Sequence, residues 1–198
     1  MSTAVRGESG EAPLALVTGA ARRIGAAIAT RLHAEGWRVA LHCSQSVVQA
    51  ELLAASLNAQ RAGSAMVFEQ DLRVPEGPEC LLRSVQERLG EVTALVNNAS
   101  SYAATPMGQI TAAQIDELLA TNLKAPLLLV QAAMQAGALR QVVNLLDSHS
   151  RHQPRPGFSA YTAAKDALWA LTEALAVELA PGVRVNGVAL GHILAEVS

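Results

Sequence analysis

From Leu14 onward the chain alternates short apolar runs with longer stretches of helical period, and no other feature constrains the fold as strongly. Such alternation is typical of βαβ units, in which the strands lie parallel. The runs are apolar almost without interruption, as expected when helices cover both faces of a sheet. The sequence therefore predicts an α/β fold with a doubly wound parallel sheet. Strands are predicted at 14–18, 37–42, 65–70, 93–97, 140–146 and 183–188, and helices at 22–35, 47–61, 75–89, 111–137 and 159–180.

Composition narrows the class of protein. With 198 residues, 51% of them hydrophobic and 16% charged, the chain can bury the core of one domain, expected at 13–198 behind a flexible tail at 1–12. The net charge is −2 and basic residues are scattered, so neither nucleic acid nor a membrane surface is an expected partner. Two cysteines without metal-ligand spacing, and apolar runs too short for a bilayer or a signal peptide, indicate a soluble cytoplasmic protein without a metal.

A glycine-containing turn follows the first predicted strand and opens a helix, with the sequence Thr18-Gly-Ala-Ala-Arg-Arg-Ile-Gly25. Small residues there let the backbone approach a pyrophosphate, whose charge the helix N-terminus meets. Gly25 permits close packing of that helix on the strand. Ala21 stands where the middle glycine of G-x-G-x-x-G would be, so the turn alone also suits any other α/β protein.

The end of the second strand indicates which dinucleotide would bind. An acid there would hydrogen-bond the ribose 2′-hydroxyl of NAD, and none is present. His42, Ser44 and Ser46 are predicted to donate to a 2′-phosphate, and Arg23 to add charge. The sequence thus favours NADPH over NADH. After the third strand, Asp71-Leu72 is a candidate adenine contact, although an Asp there is equally a helix cap.

Tyr161 and Lys165 stand four residues apart in the last predicted helix and so share one of its faces. A neighbouring cation favours the phenolate, which predicts a lowered pKa for Tyr161 and a role as general acid or base. Alone, the pair is also typical of an amphipathic helix exposed to solvent. Pro126 is predicted to break the 111–137 helix one turn earlier, near Asn122.

Taken together, these residues resemble the short-chain dehydrogenase/reductase family, which has a Rossmann-type fold. The matching motifs are Thr18-Gly19-x-x-x-Arg23-x-Gly25, Asn97-Asn98-Ala99-Ser100, Asn122 and Tyr161-x-x-x-Lys165, over about residues 13–191. The resemblance implies that Asn122 holds a proton-relay water and that Lys165 binds the nicotinamide ribose. It implies a cofactor site made of Gly19, Arg23, Ile24, Gly25, His42, Ser44, Ser46, Asp71, Leu72, Asn98, Ala99, Ser100, Tyr161, Lys165 and Gly191.

Within the family the chain resembles the pteridine reductases and related dihydropterin or dihydrofolate reductases. The resemblance rests on residues 18–25, Leu32-His-Ala-Glu-Gly36, Leu41-His42, residues 97–102 and Asn144-Leu-Leu-Asp147. Most of the family has serine where Asp147 stands, and a carboxyl can accept from or protonate the nitrogens of a pterin. The resemblance implies NADPH-dependent hydride transfer to a pterin-type substrate, with Asn122, Asp147, Tyr161 and Lys165 catalytic. It implies substrate contacts at Arg23, Ser100, Tyr102 and Asp147, with Tyr102 stacked on the pterin ring.

Three departures from the pattern leave alternatives open. Gln45 stands where pteridine reductases carry an arginine near the 2′-phosphate. The family's catalytic acid or serine usually lies thirteen residues before the tyrosine, a spacing that Ser148 meets and that Asp147, at fourteen, does not. Counted along the strand, however, this position is the third after Asn144, which favours Asp147. The sequence ends at Ser198, before the lid helix and last strand that are usual in the family. We expect either that the domain lacks these two elements or that they belong to the protein but not to this sequence.

Two other functions are compatible with these residues. One is a general carbonyl or 3-oxoacyl reductase that uses Ser148, and the other is a catalytically silent nucleotide-binding regulatory protein. The predicted helix at 159–180 is apolar on more than one face, which predicts that a partner subunit covers it in a homodimer or homotetramer.

Overall fold

Parallel strands form the centre of the computed structural model, which describes residues 12–191. The strands in that range are β1 (Leu14–Val17), β2 (Arg38–Cys43), β3 (Ala65–Glu69), β4 (Ala94–Asn97), β5 (Gln141–Asp147) and β6 (Arg184–Leu190). They make one sheet in the order β3-β2-β1-β4-β5-β6, and every neighbouring pair is parallel. The predicted doubly wound sheet is confirmed. The predicted tail lies outside the described residues, apart from Ala12.

Helices follow the strands as predicted, with small shifts of their ends. They are α1 (Arg23–Ala34), α2 (Val47–Gln60), α3 (Gly77–Leu89), α4 (Ala112–Leu119), α5 (Ala125–Ala136), α6 (Ser148–His152) and α7 (Ser159–Glu178). The short helix α6 lies outside the predicted helices. It forms because the Asp147 carboxylate accepts the His149 backbone N–H at 2.8 Å and caps the first turn. None of the helices within residues 12–191 has the length and apolar character needed to cross a bilayer.

Apolar side chains lie on both faces of the sheet because successive strand residues point to opposite sides. Leu14 and Leu16 of β1 belong to a core shared with α3, α5 and α7. Val17, on the other face, packs in a second core with residues of α1 and α2. All four residues of β1 are buried, as are all four of β4, so the two central strands are covered on both sides.

The long predicted helix at 111–137 is interrupted where Pro126 led us to expect a break. A π-helical turn, Ala120–Lys124, joins α4 to α5, and Pro126 lies in the first turn of α5. Proline has no N–H for the carbonyl four residues earlier, so the helical hydrogen bonds shift, and the Ala125 N–H bonds to the Ala120 carbonyl instead. The predicted interruption is confirmed, and it leaves Asn122 fully buried.

The order of the strands reverses between β1 and β4. These two strands are neighbours in the sheet although they are not consecutive in the chain. In open α/β sheets a crevice forms at such a point, beyond the carboxyl ends of the strands. The glycine turn follows β1 and Asn98 follows β4, so both lie at this crevice.

Candidate active site

A groove of about 810 Å³ runs along the carboxyl ends of the strands, and nearly every residue predicted for the site lines it. Asn122 is the exception, since it lies behind the groove wall. The predicted residues on the wall are Gly19, Arg23, Ile24, Gly25, His42, Ser44, Ser46, Asp71, Leu72, Asn98, Ala99, Ser100, Tyr102, Asp147, Tyr161, Lys165 and Gly191. One continuous surface therefore carries both the nucleotide motifs and the Tyr161 region.

The glycine turn is fixed to the end of β4 by side-chain hydrogen bonds. The Asn98 amide donates to the carbonyls of Thr18 at 2.8 Å and Gly19 at 3.0 Å, and the Thr18 hydroxyl accepts the backbone N–H groups of Asn98 and Ala99. Gly19 has φ +63, a left-handed conformation that glycine adopts without strain. A Cβ on Gly25 would overlap the Gly19 carbonyl. The turn thus offers a close backbone approach, which a pyrophosphate needs.

His42 does not offer a donor to a phosphate, so that prediction was wrong. Its Nδ1 accepts the Gly19 N–H at 3.1 Å, and its Nε2 lies 2.9 Å from the Gln70 carbonyl oxygen, to which it donates. The ring is 2% exposed, and burial lowers its pKa to about 4, which Gln70 and Asp71 only partly oppose. At neutral pH His42 is a neutral link between the glycine turn and the end of β3.

Basic and hydroxyl side chains nevertheless fit a nucleotide phosphate at this end of the groove. Arg22, Arg23, Ser44 and Ser46 line the wall, and no carboxylate follows β2. Arg23 has φ +50, so a non-glycine residue holds a left-handed conformation here. Such strain persists where the surroundings impose it and often marks a functional site. With the glycine turn, these residues suit an NAD(P) cofactor.

Asp71 carries a negative charge into the groove, but Arg73 neutralises it. The Arg73 guanidinium donates to both Asp71 oxygens, and the Arg73 backbone N–H donates to Oδ1 at 2.9 Å. The side-chain hydrogen bond with Arg73 is the main cause that lowers the pKa of Asp71. Arg73 also reaches Glu117 of α4 at 3.3 Å. Asp71 therefore stabilises the turn after β3 and lines the groove where an adenine contact was expected, whereas the alternative interpretation as a helix cap was wrong, because the next helix, α3, begins at Gly77 with Glu76 as its N-cap.

The Tyr161 hydroxyl donates to Oδ2 of Asp147 at 3.0 Å. Burial, and then the neighbouring carboxylate, raise the pKa of Tyr161, and a contact with Ser100 opposes them in part. The predicted lowering of this pKa was wrong, because burial and the anion that the fold brings from β5 raise it, while the Lys165 ammonium donates to the Leu145 carbonyl. The phenol is therefore protonated at neutral pH, and the raised pKa makes it a weaker acid than a free tyrosine.

Lys165 is 4% exposed, and its ammonium donates to the Leu145 carbonyl at 2.9 Å. Burial lowers its pKa to about 8, while the charge of Asp147 acts in the opposite direction. At neutral pH most of the ammonium therefore remains charged, on the same wall of the groove as Tyr161.

Asp147 and Ser148 face different partners. Asp147 ends β5 and lines the groove, whereas the Ser148 hydroxyl donates to the Leu190 carbonyl at 2.9 Å. Ser148 lines a separate hollow of about 300 Å³ beside α6. The carboxyl is the group that meets Tyr161.

Asn122 acts on the groove through Ser100. Its Oδ1 accepts the Ser100 hydroxyl at 2.7 Å, while its amide donates to the carbonyls of Ser101 and Leu118. Both hydrogens of the amide are thus donated, while Oδ1 accepts a single hydrogen bond. The water-holding role stays a prediction.

An aromatic cluster lies beside Tyr161, and it includes Phe158, which was not predicted from the sequence as a site residue. Tyr102 stacks on Phe158 at 4.7 Å between ring centroids and meets Tyr161 edge-on at 4.8 Å. Arg155 lies 3.5 Å from the Tyr102 hydroxyl. Phe158 could have been found from its position three residues before Tyr161, which brings the two near one face of α7.

Comparisons with known proteins agree with this geometry. Residues 13–198 match the profile of the family described as short chain dehydrogenase. Pteridine reductase 1 of Leishmania tarentolae is 37% identical, over 91% of this chain and 76% of that protein. The uncharacterized oxidoreductase YgfF of Escherichia coli is 31% identical, over 92% of this chain and 77% of that protein. The 3-oxoacyl-(acyl-carrier-protein) reductase FabG of Staphylococcus epidermidis is also 31% identical, over 93% of this chain and 76% of that protein.

A profile that matches residues 13–198, together with relatives that match over most of their own length, establishes the family. The glycine turn, Asn98 and the Tyr161–Lys165 pair lie on one groove, where such an enzyme holds its cofactor. The chain belongs to the short-chain dehydrogenase family and is an NAD(P)-dependent oxidoreductase.

Proposed function

We propose that this enzyme uses NADPH to reduce a pterin-type substrate, with Tyr161 as proton donor. The observation that carries the proposal is the hydrogen bond of 3.0 Å between the Tyr161 hydroxyl and the Asp147 carboxyl, on the wall of the nucleotide groove. A pteridine reductase is also among the similar proteins.

The chemistry of this pair suits a nitrogen heterocycle. A carboxyl can accept from an amino group or a ring N–H, and it can carry a proton to a ring nitrogen. Tyr102 is 54% exposed at the groove and rests on Phe158, which makes it a supported aromatic surface for a flat ring. Stacked aromatic rings contribute about 0.5–1.5 kcal/mol beyond the area that they bury. A plain ketone would use neither the carboxyl nor the stacking surface.

The choice of NADPH over NADH rests on charge. A carboxylate at the end of β2 would repel a 2′-phosphate, and that position has Ser44, Gln45 and Ser46 instead. The nearby carboxylate of Asp71 is paired with Arg73. Arg22 and Arg23 line the same wall and supply positive charge, and the serine hydroxyls supply donors.

The protein's own residues supply one proton to the substrate in each turnover. The nicotinamide, when bound, supplies the hydride. Tyr161 gives its proton to the substrate, directly or through Asp147, and becomes a phenolate. The charged Lys165 on the same wall stabilises that phenolate, and Ser100, held by Asn122, helps to orient the phenol.

Replacing Tyr161 by Phe tests the proposal. We expect NADPH affinity, measured by quenching of protein fluorescence, to stay nearly unchanged, because a ring of the same shape remains. We expect turnover to fall about 10²-fold or more, the usual contribution of a positioned proton donor. Tyr102→Phe is the matched control, since it also removes one phenol oxygen but should leave turnover near the wild-type level. Near-normal turnover by Tyr161→Phe would exclude Tyr161 as the proton donor.

A second candidate is a general carbonyl or 3-oxoacyl reductase, because a reductase of that kind is among the similar proteins. It would require the Ser148 hydroxyl to act on the substrate, and that hydroxyl is hydrogen-bonded to the Leu190 carbonyl.

The predicted dimer or tetramer also stays a proposal. It is supported by Val177 of α7, which is 81% exposed.

A further inference from the structure

His149 contacts the Asp147 carboxyl at the oxygen that Tyr161 does not use. Its backbone N–H donates to Oδ1 of Asp147 at 2.8 Å, and Nδ1 of its imidazole lies 3.4 Å from the same oxygen. Oδ2 is the oxygen that accepts the Tyr161 hydroxyl. The carboxyl therefore lies between a phenol on one side and an imidazole on the other.

The imidazole also lies between two spaces. His149 lines the main groove and the separate hollow of about 300 Å³, whose wall includes Ser148, His152 and Gly191. His152 lines the hollow but not the groove. Since the His149 side chain is 18% exposed, it is in contact with solvent while it touches Asp147.

The short helix that carries His149 is held firmly in place. The buried Ser150 hydroxyl lies 2.8 Å from the Asp147 carbonyl and 2.7 Å from the Asp166 carboxyl of α7. Arg151 lies over the Trp169 ring at 4.5 Å and near Glu173 at 3.6 Å. The two residues that follow His149 in the chain are thus tied to α7, the helix that carries Tyr161.

We propose that His149 passes protons from solvent to the Asp147–Tyr161 pair. This inference rests on the proposed role of that pair, and because His149 acts through Asp147 it is a positioning residue. Each turnover removes one proton from the pair, and one must return before the next. The protonated imidazole of His149 gives a proton to the Asp147 carboxylate and regains one from solvent in the hollow. Rotation of the carboxyl then presents that proton to the Tyr161 phenolate, which becomes a phenol again.

An imidazole suits this step because it has two ring nitrogens, so that one can release a proton to Asp147 while the other takes one up from solvent. The distance of 3.4 Å between Nδ1 and Oδ1 is longer than a hydrogen bond that transfers a proton, and such bonds are often loose before substrate binds. Two other titratable groups are close to the pair, since Lys165 of α7 interacts with Asp147 and Tyr102 meets Tyr161 edge-on. Asp166 of α7 binds the Ser150 hydroxyl beside His149, and Arg155 lines the groove from the loop before α7.

The first test compares His149→Ala, His149→Asn and His152→Ala. None of them removes the backbone N–H that caps α6, so the helix should survive, which circular dichroism checks. We expect both His149 variants to lose about 10-fold or more in kcat with little change in the KM for NADPH, and to show a larger solvent deuterium isotope effect. His152→Ala should behave like the wild type. Added imidazole should restore turnover to His149→Ala.

The asparagine variant separates proton transfer from simple support. Its amide can still donate to Asp147 but cannot exchange a proton at neutral pH. Wild-type turnover by His149→Asn, or an unchanged solvent isotope effect in His149→Ala, would overturn the proposal. Failure of imidazole to restore a folded His149→Ala protein would also count against it.

A measurement without any substrate keeps this inference distinct from the proposed function. Asp147→Asn should change the ¹⁵N chemical shifts of the His149 ring and leave those of His152 unchanged. Unchanged shifts at His149 would contradict the contact. If the wild type reduces no pterin but does reduce a ketone, the proposed substrate fails, and the same histidine variants are then compared on that ketone.

Discussion

The phenol of Tyr161 donates a hydrogen bond to Oδ2 of Asp147 across 3.0 Å, although the two residues lie fourteen positions apart in the chain. One ends the strand β5, and the other lies in the first turn of α7. Burial, and then the paired carboxylate, raise the pKa of Tyr161, since a buried phenol beside an anion resists ionisation. Proton donation by Tyr161 therefore depends on the positive charge of Lys165 to stabilise the phenolate that forms.

Asp147→Asn should reduce pterin turnover by about 10-fold or more while the protein stays folded. Asparagine is as good a helix cap as aspartate, so α6 keeps its N-cap, and only the charge and the ability to carry a proton are lost. Ser148→Ala is the matched control and should keep wild-type turnover, with a stability loss of about 1 kcal/mol from the lost bond to Leu190. Steady-state kinetics and urea unfolding measure both effects. The reverse pattern, with Ser148→Ala inactive and Asp147→Asn active, would favour the carbonyl reductase.

Arg23→Gly should make the protein more stable and a weaker binder of NADPH. The backbone at Arg23 has φ +50, and relief of that left-handed conformation should add about 1 kcal/mol to the free energy of unfolding. Loss of the guanidinium should weaken NADPH binding about 10-fold and NADH binding much less, because only NADPH carries the extra phosphate. Arg22→Ala is the control for stability, since Arg22 is extended. Equal losses for the two cofactors would show that Arg23 does not read the 2′-phosphate.

The buried imidazole of His42 should make stability fall in mild acid. Its pKa is about 4 in the folded protein and about 6.5 in an unfolded chain, so between these values the unfolded state binds more protons. The free energy of unfolding should therefore fall as the pH is lowered from about 6.5, with a loss of about 3 kcal/mol by pH 4.

His42→Gln is the variant that isolates this effect. It should be less stable at pH 7 because the hydrogen bond from Gly19 is lost, and its stability should change less between pH 7 and pH 4. His33 is also buried with a lowered pKa, so some pH dependence should remain in both proteins. Urea unfolding across this pH range gives the comparison, and identical pH dependence in the two proteins would contradict the assignment.

The fold and the outline of the groove could be predicted because they depend on patterns that are local in the chain. Strand and helix periods set the order of elements, and residues that end parallel strands meet at one edge. Pro126 indicated the break before α5 for the same reason, since the missing N–H is a property of that residue alone.

The state of individual side chains could not be predicted, because it depends on partners far away in the chain. Lys165 is near Tyr161 in sequence, but burial and Asp147 set the pKa of the phenol. His42 looked like a free donor at a strand end, whereas Gly19 and Gln70 occupy both its nitrogens. The short helix α6 depends on a single cap from Asp147 in a segment rich in turn residues.

The central claim is that the Asp147–Tyr161 pair serves pterin reduction, and a substrate comparison tests it most directly. NADPH oxidation by the wild-type protein is measured with dihydrobiopterin and dihydrofolate beside a panel of ketones and 3-oxoacyl esters. We predict a kcat/KM for at least one pterin that exceeds every ketone by about 10-fold or more, with the advantage lost in Asp147→Asn. Turnover of ketones with none of any pterin would contradict the account.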